Sequence, residues 1–432
     1  YAGTRLLSSN GDGTWDERLT GLQNSRVGDF SLFDDIVIWA NDSTSDVPRS
    51  WDFTAATFVN LAGSPPNFSF SVPHLNKQWA AGVASLPSRL YYSVSLDPEN
   101  WTGTGSGSID IDPNDGDRIV GIISHLDELW VFKGPYRGSI HRITGDAPAN
   151  YARDVFARRI PVFGHNAITT VGTDVYFGFR GGLSSLKTTE KFGNMDAAFP
   201  SATIRSRFRE LNHNRGAFWN LKYYDREGLL MLACADGGQT NNNLIFPYDL
   251  ANNRFAEPWP ISAASLAIRI DNAGEMRLYS GDYSGFVNLE DTLTASDFGS
   301  TAYTFLIRTG ALTFAVPNSP LFTPETEKTF CKVFARVKPK GNWNLSGILK
   351  IDDQADQAFT LNLGLGSQGL GVFVLGTDVL CVSSYAEPSA IVEGRWKTAI
   401  CQLSQAGLNQ DAELYEVGFE VESAGEAMDS VA

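Results

Sequence analysis

The chain has 432 residues, a net charge of −15, and 19% charged against 43% hydrophobic residues, with 10 Trp, 14 Tyr and 27 Phe. That aromatic and hydrophobic content excludes intrinsic disorder, and the longest apolar run, Leu229–Ala235, is far short of the roughly 18 residues of a membrane span. The acidic balance argues against a protein that grips nucleic acid through its phosphates, and Cys234, Cys331, Cys381 and Cys401 show no spacing of a zinc ribbon or disulfide framework.

Helical periodicity is nearly absent along the chain. Short runs of Val, Ile, Phe, Tyr and Trp lie between clusters of Gly, Asp, Asn, Ser and Pro, as strands and turns do. Ser8-Ser9-Asn10-Gly11-Asp12-Gly13-Thr14-Trp15 is a loose form of the sialidase Asp-box turn. Asn10 stands where that box needs Asp, Asp12 where it needs Gly, and the motif does not recur, so it reads as a plain hairpin turn.

A two-part unit then returns six times, an acidic or polar turn leading into a compact apolar strand. The copies are Asp35–Trp39, Ser88–Tyr92, Asp127–Phe132, Thr173–Phe177, Arg226–Met231 and Gly274–Tyr279. A turn and a second strand follow each, as at Gly138–Ile143, Gly182–Leu186 and Gly285–Leu289. Strands buried on both faces read as continuous apolar runs. The spacing of about 40–55 residues is close to that of a propeller blade. The fold class is therefore all-β. Residues 1–316 are expected to form an irregular β-propeller of about six blades, the competing architecture being a β-sandwich. Ser201–Glu210 and Pro258–Ala267 are the two helical candidates.

Between the repeats lie three segments with possible chemistry. Gly103-Thr104-Gly105-Ser106-Gly107-Ser108 is glycine-rich but lacks the Lys of a phosphate loop, so a flexible loop is expected. Asp110–Asp117 packs four carboxylates and one amide into eight residues. Calcium takes such ligands, but the residue types also form turns and the spacing is not that of an EF-hand. A solvated turn is the first reading and a calcium site the second. Arg205, Arg207 and Arg209 alternate and would share one face of a strand.

After Pro317 the pattern changes to long alternating strands. Lys328–Val337 alternates, and Tyr415, Val417, Phe419 and Val421 form one face opposite Glu416, Glu420 and Glu422. Further runs are Ile348–Ile351, Phe359–Leu365, Val372–Leu375 and Trp396–Leu403. Residues 317–432 are expected to form a C-terminal antiparallel β-sandwich. Residues 401–432 hold seven acidic residues and no Lys or Arg. Arg205, Arg207 and Arg209 on one side and Glu416, Glu420 and Glu422 on the other are thus candidate interface residues of a head-to-tail homo-oligomer.

No catalytic motif is present. His74, His125, His141, His165 and His213 are scattered singly, and no nucleophile elbow, Walker loop or dinucleotide fingerprint occurs. No enzyme activity, cofactor or metal is predicted. Sequons stand at Asn41, Asn67, Asn100 and Asn344.

Residues 85–195 carry a resemblance. The phrase Arg89-Leu90-Tyr91-Tyr92-Ser93 with Asp97-Pro98-Glu99-Asn100-Trp101 is followed by Ile109-Asp110-Ile111-Asp112 and Gly116-Asp117-Arg118-Ile119-Val120-Gly121-Ile122. Then come Leu129-Trp130-Val131-Phe132-Lys133, Ser139-Ile140-His141-Arg142-Ile143 and the hairpin Asp174–Thr189. This succession resembles the tail nozzle or hub family of short-tailed bacteriophages, the group of tail tubular protein B and the packaged-DNA stabilisation protein. Asn409–Gly425 resembles that group's closing strand. The resemblance implies a virion structural protein without catalysis. It implies a propeller-based homo-oligomeric ring, with a hexamer favoured, that extends the DNA ejection channel. Tail adaptor and portal-side proteins and tail fibres or spikes would be its partners, with DNA passing transiently and no membrane insertion. An acidic channel wall would repel phosphates. The alternative is a secreted carbohydrate-binding or carbohydrate-active propeller, using exposed Trp and Tyr and a carboxylate pair.

Overall fold

The computed structural model describes residues 1–11, 13–192, 199–271, 273–290, 296–297, 301–302, 305–315, 323–325, 327–339, 343–352, 355–363, 387–407 and 412–423. The described chain is all-β, built from many small antiparallel sheets. It divides into two compact units, Tyr1–Asp291 and Thr292–Ala432.

The first unit opens with a hairpin, Leu6–Ser9 against Trp15–Leu19, as expected for the broken Asp-box segment. Six sheets follow in chain order. Sheet 1 is Gly28–Phe33, Ile36–Asn41, Arg49–Trp51 and Val59–Asn60; sheet 2 is Phe70–His74, Lys77–Ala81, Arg89–Tyr92 and Gly107–Asp110. Sheet 3 is Arg118–His125, Glu128–Gly134, Ser139–Thr144 and Ala152–Arg158; sheet 4 is Ile168–Val171, Asp174–Phe179 and Gly182–Ser185. Sheet 5 is Asn220–Tyr224, Leu229–Cys234, Leu244–Asp249 and Arg254–Phe255; sheet 6 is Ser265–Ile270, Met276–Gly281 and Val287–Leu289. Within each sheet every strand pairs with its neighbour in sequence, so the repeat detected in the sequence is an up-and-down sheet.

Five apolar layers join these sheets in order. Ile38, Ala40, Phe68 and Ala80 fill the space between sheets 1 and 2; Trp79, Leu90, Ile122 and Val131 do so between 2 and 3. Phe132, Ile140, Ile168 and Phe177 join 3 to 4, Leu183, Leu221, Leu232 and Phe246 join 4 to 5, and Met231, Ala233, Leu266 and Leu278 join 5 to 6. The free face of sheet 1 is covered by the N-terminal segment, where Leu6 and Leu22 meet Trp39 and Phe58. Middle strands therefore bury both faces, which is why they read as uninterrupted apolar runs.

Alternation of strand direction gives the unit two ends. The turns after first and third strands lie at one, the turn end. The loops after second strands and the connections that follow the four-stranded sheets lie at the other, the crossover end. The connection after three-stranded sheet 4 leaves from the turn end, where Lys187 meets Thr173 and Asp174. Cross-bonds agree: Leu96 N–H donates to the Asn76 carbonyl (2.7 Å) at the turn end, and Arg180 N–H to the Pro161 carbonyl (3.4 Å) at the crossover end.

Several expectations need correction. In sheet 2 the counterpart of the other repeat strands is Lys77–Ala81, buried throughout; Ser88–Tyr92 supplies the third strand instead. The motif was hidden because Lys77 and Gln78 interrupt its apolar reading. Asp225–Glu227 is a 3-10 turn, and the strand begins at Leu229. Ser201–Glu210 is helical, as a 3-10 turn over Pro200–Ile204 and a helix over Arg205–Glu210. Pro258–Ala267 is not, because Trp259 bridges to Ile245 and a strand begins at Ser265. A short helix, Leu186–Phe192, follows sheet 4 without a sequence expectation.

Among the described residues the second unit holds a two-stranded ribbon, Ser296–Asp297 against Thr301–Ala302, and two larger sheets. One orders as Phe305–Arg308, Ala399–Gln405, Asn344–Ile351, Gln357–Asn362; the other as Ser389–Trp396, Lys328–Pro339, Ala412–Ser423. Val333, Ala335 and Val337 of the second share one core with Leu345, Leu349, Leu361 and Leu403 of the first. The division expected at residues 316/317 falls instead at Asp291/Thr292, because Phe305–Arg308 pairs with Ala399–Gln405. The run Trp396–Leu403 is split by a turn, where the Asp352 carboxylate accepts from the N–H of Lys397 (2.6 Å) and Thr398 (3.0 Å). Tyr415 is not on the inward face. A bulge lies where Arg336 pairs with Glu416 but Val337 with Leu414, so Tyr415 is the extra residue and is exposed. Val372–Leu375, Cys381 and the loop around Pro317 lie outside the described residues.

Candidate functional site

The first strands of the first unit converge on a polar cluster. Asp29 of sheet 1 accepts the N–H of Ser71 of sheet 2 at 3.0 Å. Its other oxygen lies 3.5 Å from His165 Nε2, just before sheet 4. His165 Nδ1 accepts the N–H of Ile122 of sheet 3 at 3.4 Å, and Phe70 stacks on the imidazole at 4.8 Å. Lys222 of sheet 5 acts on the same carboxylate through its charge. Burial works to raise the Asp29 carboxyl. The His165 charge and hydrogen bond, the Ser71 N–H and Lys222 outweigh it, and the group lies below the ordinary carboxylate range. Burial lowers Lys222 against the pull of Asp29. Five sheets thus contribute to one point.

The cluster does not form a nucleophilic site. The hydrogen-bond partners of His165 are a carboxylate and a backbone amide, where hydrolytic triads need a hydroxyl or thiol. Among the described residues no group of three or more His, Cys, Asp and Glu could hold a metal ion. Cys234 and Cys401 are buried free thiols pushed up by burial, Cys401 to about 11, so neither is activated.

The Asp110–Asp117 loop does enclose a cation, and the cation is Lys133. Its ammonium donates to the carbonyls of Ile111 (2.8 Å) and Asp112 (2.8 Å), to Asp115 Oδ1 (2.8 Å) and to Ser88 Oγ (3.2 Å). The remaining carboxylates are also engaged. Asp110 forms a two-point pair with Arg89, and Asp112 meets Arg153 at 2.8 Å and Arg158 at 3.4 Å. Asp117 accepts the N–H groups of Tyr136, Arg137 and Gly138 at 2.8, 2.9 and 2.8 Å. The loop is thus a turn with an exposed rim at Pro113, Asn114 and Gly116, as expected, while its carboxylates are engaged by the chain's own cations and N–H groups. The Gly103–Ser108 segment is likewise anchored: Lys77 donates to the Ser93 (2.9 Å) and Gly105 (2.6 Å) carbonyls, and Gly103 N–H to Asn100 Oδ1 (2.9 Å).

The candidate interface residues do not form two continuous patches. Arg205, Arg207 and Arg209 sit on a six-residue helix, where alternate residues diverge. Arg207 pairs with Asp236 (2.9 Å) and Glu210 (3.0 Å); Arg209 is exposed. Glu416 lies 3.5 Å from Arg336 and Glu420 3.2 Å from Lys332, both on the neighbouring strand, and Glu422 is exposed. The clusters at Lys133 and at Asp29–His165–Lys222 escaped sequence reading because their members lie far apart in the chain and match no motif.

No protein-family model matches this chain, and no curated protein does. The chain is similar to a solved nidogen/laminin complex at 12% identity and a TM-score of 0.36, over 60% of this chain and 91% of that one. A likeness this loose carries no argument.

Proposed function

We propose that the protein is a structural component of a bacteriophage tail. In this reading the six sheets of the first unit are the blades of a β-propeller and the second unit is a β-sandwich. The ring it forms with copies of itself extends the DNA ejection channel and anchors fibres or spikes. One observation supports the radial arrangement most directly. Asp29 of sheet 1 reaches His165 before sheet 4 and lies under the charge of Lys222 in sheet 5, so sheets distant in sequence meet at their first strands. The tail assignment rests on the resemblance over residues 85–195, whose phrases fall on strands and turns of sheets 2 to 4.

The carbohydrate alternative loses its main support. Of ten tryptophans, Trp39, Trp79, Trp101, Trp130, Trp219 and Trp396 are buried and Trp15 alone is exposed, so no row of indoles is displayed for sugar stacking. Negative-stain imaging of the purified protein tests the proposal. Rings of identical subunits with no turnover of glycans are expected. Monomers that bind a glycan array would overturn it.

A further inference from the structure

The turn end of sheets 1 to 3 displays large apolar residues in backbone conformations that suit glycine. Leu96 has φ 58° and Leu126 φ 49°, and they are 68% and 64% exposed. Phe53, at φ 63°, is 55% exposed. A left-handed backbone costs an L-residue about 1 kcal/mol or more, and such hairpin turns favour Asn, Asp or Gly. Exposing a leucine side chain there adds a second cost. Folding of this chain accounts for neither choice.

The loops that carry the leucines are linked through a third turn and hold acidic residues. Leu96 N–H donates to the Asn76 carbonyl at 2.7 Å, and His74 Nδ1 lies 2.8 Å from Ser124 Oγ, which sets the Leu75–Asn76 turn beside the Leu126–Asp127 turn. Asp97 and Asp127 flank the leucines. The opposite, crossover end of sheets 3 and 4 carries the complementary chemistry. Tyr136 is 77% exposed, on a loop whose three N–H groups are fixed by the buried Asp117. Around it stand the exposed Arg137, Arg159 and Arg180. Their loops are joined by bonds from Arg159 N–H to the Gly138 carbonyl (2.9 Å) and from Arg180 N–H to the Pro161 carbonyl (3.4 Å). Tyr and Arg on a rigid loop are the residue types that anchor interfaces.

We propose that the turn end of one copy docks on the crossover end of a second copy, Leu96, Leu126, Asp97 and Asp127 meeting Tyr136, Arg137, Arg159 and Arg180. The contact is heterologous, so it propagates into a ring or a column. It stands on the first unit's own surface and does not depend on the tail assignment.

Sedimentation velocity of the full chain over a concentration series tests it with three variants. L96N/L126N suits the left-handed backbone and removes the apolar contact. It should keep or raise the thermal midpoint while weakening association at least tenfold. D97K/D127K and R137E/R180E should each weaken association at least tenfold alone, since each makes both ends like-charged. Mixed in equal amounts they should recover the wild-type distribution. A wild type that stays monomeric overturns the contact, as do charge-reversed variants that assemble like wild type or a mixture that stays dissociated. Rings that persist in images of both charge-reversed proteins would overturn this contact alone and leave the tail assignment standing.

Discussion

Lys133 and Lys222 are two interior cations of the same unit, held in opposite ways. Lys133 is fully buried and faces four oxygens at hydrogen-bonding distance. Lys222 is half-buried and is drawn to Asp29 by charge, while burial lowers its proton affinity. The difference is one of satisfaction. An enclosed ammonium with all its donors used ties several loops together. One held by a distant charge contributes far less, since its desolvation nearly cancels the attraction.

The largest expected effect comes from emptying the cage. Lys133→Met should cost about 3 kcal/mol, because it leaves the Ile111 and Asp112 carbonyls without this donor and Asp115 without its cation, with only the Asp117 N–H (3.0 Å) and solvent left to that carboxylate. The urea midpoint would fall accordingly, and added calcium should not restore it. A loss below about 1 kcal/mol would contradict the cage. Next is Asp117→Ala, which removes three charge-assisted bonds to the Tyr136 loop. It should cost about 2 kcal/mol and raise amide exchange at Tyr136, Arg137 and Gly138.

How far the sequence disclosed these features depends on distance along the chain. Strands and turns are local, so all six repeats were legible apart from the second, where Lys77-Gln78 masked the pattern. The Asp110–Asp117 loop was legible as a turn first and as a calcium loop only second, and the cation it holds is a side chain from the following sheet, reached from Glu128–Gly134. Asp29, His165 and Lys222 had no signal at all, since each is a single polar residue inside an ordinary strand or turn. The bulge at Tyr415 was hidden for a related reason: alternation fixes the face only while the register holds.

A smaller effect concerns protons. Burial pushes His74 and His141 down to about 4, so both are neutral in the folded chain at pH 7. Their unfolded values lie higher, so the unfolded chain binds the extra protons first as pH falls. Stability should be complete above about pH 6.5 and decline between that value and 4, by roughly 1 kcal/mol for each histidine after solvent screening. Thermal melts of His74→Gln should show a shallower decline over that window than wild type.

The smallest effect is the most informative about the contrast between the two lysines. Lys222→Met should change stability by less than about 1 kcal/mol. At neutral pH the lowered proton affinity of Lys222 marks a charge that the fold disfavours, so its removal recovers part of that cost. Against this, Asp29 loses one favourable neighbour but keeps His165 and the Ser71 N–H. A double-mutant cycle isolates what remains. The coupling of Asp29→Asn with Lys222→Met should be about 0.5–1 kcal/mol, and that of Asp115→Asn with Lys133→Met at least twice as large. Equal couplings would mean that charge alone governs both sites. Unequal couplings in the stated order would make the direct 2.8 Å contact between Lys133 and Asp115 the source of the difference.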